Sequence, residues 1–500
     1  MTRKIVIIGG GVAGLSAGIY ARLNGFNAEI VEMHSITGGQ CTAWDRKGYR
    51  FDYCLHWLVG TKEGPFNDIW KETGALNDDV KIIDHEVHTK IFDPDGKEFI
   101  IYTNLDRWEK YLFSIAPEDT VKIKKMCDDM RKSAFLQPYL DPPGLRKISH
   151  TISSMFGMIP IMFLFMKYGH KTCNEYFKEL GFTNESLKYF LRNMYGTRDF
   201  SALAFIMMFA WFSQKNAGYL IGGSLPLAQR MTEKFLNLGG VLTARRKVSK
   251  ILVEDDTAKG VILSDGTEIR ADYVISAADG HSTIFDMLEG KYLNRKITNA
   301  YENWELFTPL VQVSFGLRKK IGSDSPVETW MNKDLSIGTT KTENGYSIMN
   351  YGFDPTMAPE GKSVIVIRFE SEWAQWDGIS KDDYEKEKDL IEKDARILLE
   401  KRYPGISEYI EVCDVATPIT DVHYTGVWKG SYEGFLPSSK NLMDNLNPTI
   451  KGLKKFYMAG QWLFPGGGLP PAGQSGKWAI QYICGEEKQK FSTVRANLPK

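Results

Sequence analysis

Net charge is the first thing this sequence lacks. Lys plus Arg and Asp plus Glu each number 62 in 500 residues, so the formal charge is zero. Proteins held to nucleic acid by bulk electrostatics are basic, so no nucleic-acid partner is expected. Cysteine is scarce too. The six are Cys41, Cys54, Cys127, Cys173, Cys413 and Cys484, with no CxxC pair and no Cys/His spacing of the zinc-binding kind. A metal centre is therefore not expected, and scattered thiols in a long chain read as reduced and cytoplasmic. The first β-branched run begins at about Lys4, which leaves no room before it for the charged and apolar parts of a secretory leader. Internal repeats, low-complexity linkers and a second dinucleotide fingerprint are all absent, so no separate NAD(P) site is expected.

What is present looks like a globular enzyme. Hydrophobic residues make up 43% and charged residues 25%, both ordinary for a soluble protein. The length calls for two or three domains, since one hydrophobic core stops growing well before this size. Aromatic residues, at 12%, suit either a roomy apolar pocket or simply a large core.

The most informative segment is the N-terminus. KIVII at 4–8 reads as a buried parallel strand, GGGVAG follows, and an Ala/Leu/Ile-rich stretch runs as a helix to about Asn24. NAEIVEM at 27–33 is the next strand. Gly9, Gly11 and Gly14 form G-x-G-x-x-G in the strand–turn–helix context that gives it meaning. The first glycine permits the tight turn, the second lets the backbone approach a pyrophosphate, and the third lets helix pack on strand. Ala13 lies in the first helical turn, whose free N–H groups and dipole favour phosphate. Glu32, at the end of the second strand, is placed to bind ribose hydroxyls and favours a free 2′-hydroxyl.

A second Gly turn, Gly38–Gly39 followed by Gln40, comes soon after Glu32. The C-terminal stretch MAGQWLFPGGGLPPAGQSG supplies a third, with Gly460, Gly467 and Gly468, leading into a helix from about 473 to 484. Turns at both ends of a chain that serve one long cofactor fit FAD better than NAD. Between them, helical patterns dominate from about 74 to 219. Residues 241–279 read as strands broken at Asp255–Asp256 and Asp265–Gly266, and strands and helices mix from 291 to about 415.

Several blocks together resemble the superfamily of phytoene desaturases, carotenoid isomerases and retinol saturases. They are the N-terminal fingerprint, GYLIGGSLPLAQRMTEKFLNLGG at 218–240, the strand ending in VISAADGHSTI, and PGGGLPPAGQSG. GGQCTAWDRKGYRFDYCLHWLVG is most similar to the saturase and isomerase branch, through Cys41 and the run Phe51, Asp52, His56, Trp57. Two positions depart from the superfamily pattern: Gln40 stands where Arg often follows the Gly pair, and Cys54 where a Gly is common. The resemblance implies FAD, and hydride exchange with an apolar, unsaturated small-molecule substrate by desaturation, saturation or isomerisation. It also implies that the backbone of Val248 meets the adenine and that Ala278 and Asp279 return to the cofactor. Val248 reads equally as an ordinary strand residue, and Asp279 equally as a helix N-cap.

His56 suits general acid work near neutral pH, or a structural hydrogen bond beside the cofactor. Cys41 and Cys54 read as small residues filling space beside the flavin or as a reactive thiol. Residues 152–166 are apolar with basic flanks, too short and broken to span a bilayer, so 146–171 reads as an interfacial segment or as a buried helix. Residues 202–212 are apolar on every side and predict a pocket wall or core helix.

The expected fold is α/β. A discontinuous Rossmann-like FAD domain takes residues 1–75, 222–290 and 416–500, and an α+β substrate domain takes 76–221 and 291–415. Two other functional classes fit the same motifs: a flavin amine oxidase acting on a small polar substrate, and a flavoprotein whose FAD is chiefly structural.

Overall fold

The computed structural model describes residues 2–133, 142, 145, 163–195, 200–332, 334–342, 344–438, 441 and 444–495. The expected strand–turn–helix–strand unit is present as β1 (Lys4–Ile8), α1 (Val12–Leu23) and β2 (Asn27–Val31). β1 and β2 pair in parallel. β1 also pairs with Tyr273–Ser276, β2 with Val241–Thr243, and Tyr273–Ser276 with Phe456–Met458, all in parallel. The result is a five-stranded parallel sheet, gathered from three distant parts of the chain. Both of its faces are covered, which is why β1 reads as a nearly unbroken apolar run.

α1 is buried along most of its length, because it lies between this sheet and the C-terminal helix Leu469–Glu486. Small residues permit the contact. A Cβ on Gly476 would lie 2.4 Å from the Ala13 carbonyl oxygen, and Ser16 Oγ donates to the Gly473 carbonyl at 2.6 Å. This packing sets the start of the C-terminal helix beside the N-terminal Gly-rich turn. The helix begins at Leu469, earlier than its composition suggests, because Pro470 and Pro471 occupy its first turn. Proline is tolerated there, where a backbone N–H has no helical partner to lose.

A second sheet has seven strands, running from Ile410–Ala416 through Leu310–Leu317, Ser363–Glu370, Tyr346–Asn350, Val327–Trp330 and Val87–Phe92 to Glu98–Tyr102. It is antiparallel except where Val87–Phe92 joins Val327–Trp330. Helices Leu105–Ile115, Thr120–Ser133, Cys173–Leu180, Glu185–Tyr195 and Ala202–Ser213 contribute to an apolar cluster of their own, which Ile91, Phe99 and Ile101 of the sheet join. A separate three-stranded antiparallel sheet spans residues 248–270. Its first turn has Asp255 and Asp256 both at positive φ, the geometry that a two-residue hairpin needs.

Candidate active site

The three fingerprint glycines have three separate physical reasons. Gly9 sits at φ +92°, and a Cβ there would lie 3.1 Å from the Ala277 carbonyl oxygen. A Cβ on Gly14 would lie 2.0 Å from the Gly9 carbonyl oxygen, so only glycine lets α1 start so close to β1. Gly11 differs. Its backbone is ordinary, and a Cβ there would meet nothing nearer than Gly38 O and Gly39 Cα, both at 3.9 Å. The space in front of Gly11 is open, as a close approach by phosphate requires.

Glu32 is buried, and both carboxylate oxygens are engaged by the turn: Gly10 N donates to Oε2 at 2.6 Å and His34 N to Oε1 at 2.7 Å. Burial pushes its carboxyl up while these backbone donors pull it back. Its first task is thus to hold the turn; each oxygen keeps a second lone pair for a ribose hydroxyl. The Gly38–Gly39 turn packs directly on the first one, with Gly38 N donating to Gly10 O at 2.9 Å. Gly38 and Gly39 both have positive φ.

Gln40 faces the C-terminal turn, where Gln461 Nε2 donates to its Oε1 at 3.1 Å, and the Gln40 Nε2 is buried with no partner. Gly460 is buried at φ +121°, yet a Cβ placed there would meet no atom within 4 Å. Gly467 and Gly468 are constrained by a neighbour instead, since their Cβ atoms would lie 2.2 Å from Glu433 O and 3.3 Å from Glu433 Oε1. Val248 is buried in the cluster that contains Ile8 and Val31, and Ala278 packs on its edge. Asp279 does act as a cap: Oδ1 accepts from Ser282 N at 2.8 Å and Oδ2 from Trp428 N at 2.9 Å. The open space at Gly11 and Gly460 and the orphaned Gln40 amide, lying along adjoining turns, fit a long dinucleotide.

Beyond these turns lies a polar cluster that the sequence reading did not single out. Arg368, on strand Ser363–Glu370, is 7% exposed. Its Nε and Nη2 donate to Gln312 Oε1 at 2.8 and 2.6 Å, Nη2 also reaches the carbonyls of Tyr53 and Asp52 at 2.5 and 3.3 Å, and Nη1 meets His56 Nε2 at 2.5 Å. Every one of these partners is neutral. The available signal was a lone Arg in the apolar run SVIVIRFE, because a charge in a buried strand needs a reason.

Arg368 decides the state of His56. A guanidinium has no lone pair, so His56 Nε2 is the acceptor and the ring proton is assigned to Nδ1. Burial, then the charge of Arg368, then His88 hold the imidazole pKa well below its usual value. Burial and the neighbouring guanidinium both favour a neutral imidazole that donates from Nδ1 over an imidazolium.

Asp52 is fully buried and accepts from Ser224 N, Ser224 Oγ and Leu55 N at 2.6, 2.7 and 3.0 Å, which ties this segment to the start of helix Ser224–Asn237. Burial pushes its carboxyl up to about 6 against those donors. Cys41 is buried, and Cys54 and desolvation both raise its thiol, so it is held protonated and inert.

Asp421 is the other buried acid of the cluster and accepts from the Tyr53 hydroxyl. Burial raises it to about 7, with Tyr53 and Arg368 opposing. A raised carboxyl contributes stability that is full below its unfolded pKa and is lost as pH rises through the folded one. Asp421→Asn is therefore expected to gain on the wild type by roughly 4 kcal/mol between pH 4 and pH 8. Urea denaturation of both proteins across that range checks it. A difference independent of pH would show that Asp421 ionises normally.

His56 and Trp57 also line a cavity of about 50 Å³, with His85, Phe212, Tyr219 and Tyr351 among its other walls. Trp57 meets Phe212 edge-on at 5.0 Å, so helix Ala202–Ser213 does supply one wall. Pro465–Gly468 is not part of the lining. The cavity is small, and the largest fully buried side chains, among them Trp70, Trp108 and Trp376, serve the cores. Of the apolar stretch with basic flanks, residues 146–162 lie outside the described residues. Beyond them Phe163 and Met166 are 63% and 70% exposed, whereas Leu164 and Phe165 pack on the helical core. No helix among the described residues is long and apolar enough to cross a membrane, and no cluster of metal-binding side chains is found among them.

Residues 12–484 match the family described as flavin containing amine oxidoreductase. The chain is 23% identical to prolycopene isomerase of Daucus carota, over 96% of this chain and 80% of the relative. It is also 23% identical to the neurosporene-forming phytoene desaturase of Cereibacter sphaeroides, over 93% of this chain and 92% of that one. A solved structure of putrescine oxidase bound to putrescine superposes with a TM-score of 0.63 at 14% identity, over 97% of this chain and 99% of the other. The fold, the open dinucleotide cradle and these matches agree: the chain belongs to the flavin-containing amine oxidoreductase family and is an FAD-dependent oxidoreductase.

Proposed function

We propose that this oxidoreductase acts on the carbon–carbon double bonds of an apolar polyene, by desaturation, saturation or isomerisation. The observation that carries this reading is the likeness to a prolycopene isomerase and a phytoene desaturase over nearly the whole chain. The bound FAD supplies hydride chemistry. Gly11, Gln40 and Gly460 line the space it needs, and Glu32 holds the turn beneath it. Trp57 and Phe212 give the neighbouring cavity apolar walls, and the wall must open for a polyene, since about 50 Å³ holds only a few waters.

An amine substrate is the competing reading: Asp84 and the aromatic walls of the cavity offer an ammonium group a carboxylate and ring faces, and the guanidinium of Arg368 behind His56 opposes it. Rapid mixing of the holoenzyme with a forty-carbon polyene and, separately, with putrescine tests the reading in both flavin redox states. Flavin absorbance or product composition should respond to the polyene alone. Reduction of the flavin by putrescine would replace this reading with the amine oxidase one.

His56, as a neutral donor, contributes one hydrogen bond to the site. His56→Ala is expected to keep its FAD and to lose about tenfold in turnover, the scale of one buried hydrogen bond. Steady-state kinetics with flavin content measured in parallel checks this. A loss of 100-fold or more would restore His56 as a general acid.

We also propose that the region ending at 171 touches a membrane surface from one side. The support is the basic-flanked apolar sequence together with exposed Phe163 and Met166 on successive turns of one helix. Phe163→Glu/Met166→Glu should lower sedimentation with anionic vesicles several-fold. Equal pelleting of variant and wild type would show that the pair is not the contact.

A further inference from the structure

Three side-chain atoms around the Trp57 cavity are buried without a hydrogen-bond partner: His56 Nδ1, His85 Nε2 and the Tyr351 hydroxyl. Buried polar groups are nearly always satisfied, and a cluster of exceptions in one small cavity calls for a missing partner. Two of the three are donors. Arg368 occupies His56 Nε2, which leaves the proton on Nδ1. Tyr351, 3% exposed, keeps its phenol proton because burial raises its pKa. His85 is neutral as well, pushed down to about 4 by burial. It stacks edge-on against Phe353 at 4.5 Å, so its ring too is set in an aromatic wall.

Donors without acceptors point to a ligand oxygen, and the surrounding charge indicates which kind. A carboxylate would need an exposed cation in the wall. Arg368 reaches the cavity only through the neutral imidazole of His56, and the lining includes the acid Asp84 but no Lys or Arg. A neutral acceptor is favoured. The remaining walls, Trp57, Phe212 and Phe353, are apolar and aromatic, and suit a conjugated chain leading to that oxygen.

We propose that this cavity receives the oxygenated end of the polyene, a conjugated aldehyde or ketone whose oxygen accepts from the donors of His56 and Tyr351. The assignment rests on the polyene reading and narrows it from hydrocarbons to chains that end in a carbonyl. Tyr351 is then a specificity residue, since a site built to donate to oxygen discriminates against an analogue that lacks it.

The test uses the intact holoenzyme and two probes of one skeleton in detergent: 8′-apo-β-carotenal and the hydrocarbon without its oxygen. Quenching of flavin fluorescence reads affinity, and the polyene absorption band reads hydrogen bonding at the carbonyl. The aldehyde should bind about tenfold more tightly than the hydrocarbon, with its band shifted to the red on binding. Tyr351→Phe should bring the two affinities to within about twofold and reduce the shift. If that variant does not fold, the wild-type band shift and affinity ratio decide alone. Equal affinities with no shift would overturn the carbonyl site and leave the polyene reading standing. Failure of both probes to bind, with putrescine reducing the flavin, would overturn the polyene reading itself.

Discussion

Gly11→Val is expected to purify as folded, colourless protein. The position tolerates a side chain on its own account, since its φ is −68° and no atom lies within 3.9 Å of the new Cβ. What a valine removes is the open space in front of the α1 N-terminus, where backbone N–H groups have no helical partner and a pyrophosphate would dock. Flavin content after purification should fall from near-stoichiometric to undetectable, while the stability of the apoprotein should stay within about 1 kcal/mol of wild-type apoprotein. Gly14→Val makes the contrast. Its side chain would collide with the Gly9 carbonyl, so that variant should fail to fold whether or not FAD is supplied. A yellow Gly11→Val protein with normal flavin content would show that the cofactor approaches the backbone elsewhere.

The second large effect is expected at Arg368. Replacement by Met keeps the length and removes all five donated contacts, stranding Gln312 Oε1, two main-chain carbonyls and His56 Nε2 in a buried site. Asp52 and Asp421 also lose the positive charge that lowers their carboxyls. The combined loss is expected to be about 3–5 kcal/mol, read as a shift of the denaturation midpoint for the domain that contains the seven-stranded sheet. Arg368→Lys should fall in between, because an ammonium keeps the charge but not the planar fork that reaches two sides at once. A stability loss below about 1 kcal/mol in the Met variant would mean that other donors satisfy these acceptors.

The cofactor half of the molecule was legible in the sequence because its signals are local. A glycine spacing, a strand before it, a helix after it and an acid at the next strand end all lie within the first 32 residues. The helix-rich character of the stretch from about 74 to 219 and the hairpin at Asp255–Asp256 were legible for the same reason, being written in short-range periodicity and turn chemistry. What stayed hidden depends on contacts between distant segments. Nothing near Val87–Phe92 announces that it will join Val327–Trp330. Nothing near His56 announces Arg368, 312 positions away, which sets both its tautomer and its charge. The start of the last helix was misjudged for a local reason, since Pro470 and Pro471 signal a loop in most contexts but sit well in a first helical turn.

The parallel sheet carries a consequence for the newborn chain. β1 finds β2 within the first 31 residues, but its other neighbour is Tyr273–Ser276, and the far edge is Phe456–Met458. At roughly 5–20 residues per second, a ribosome takes on the order of half a minute to deliver residue 273 after β1 has emerged. It takes a comparable time again to reach the edge strand. During that interval an apolar strand pair waits with an open edge, a hazard for mispairing with other chains. The helix Leu469–Glu486 that packs on α1 is made after all five of these strands, so a ribosome that stops before it releases a chain unable to close around its flavin. Yield of the holoenzyme should therefore respond to chaperone supply and to growth temperature far more than the stability of the finished protein would suggest.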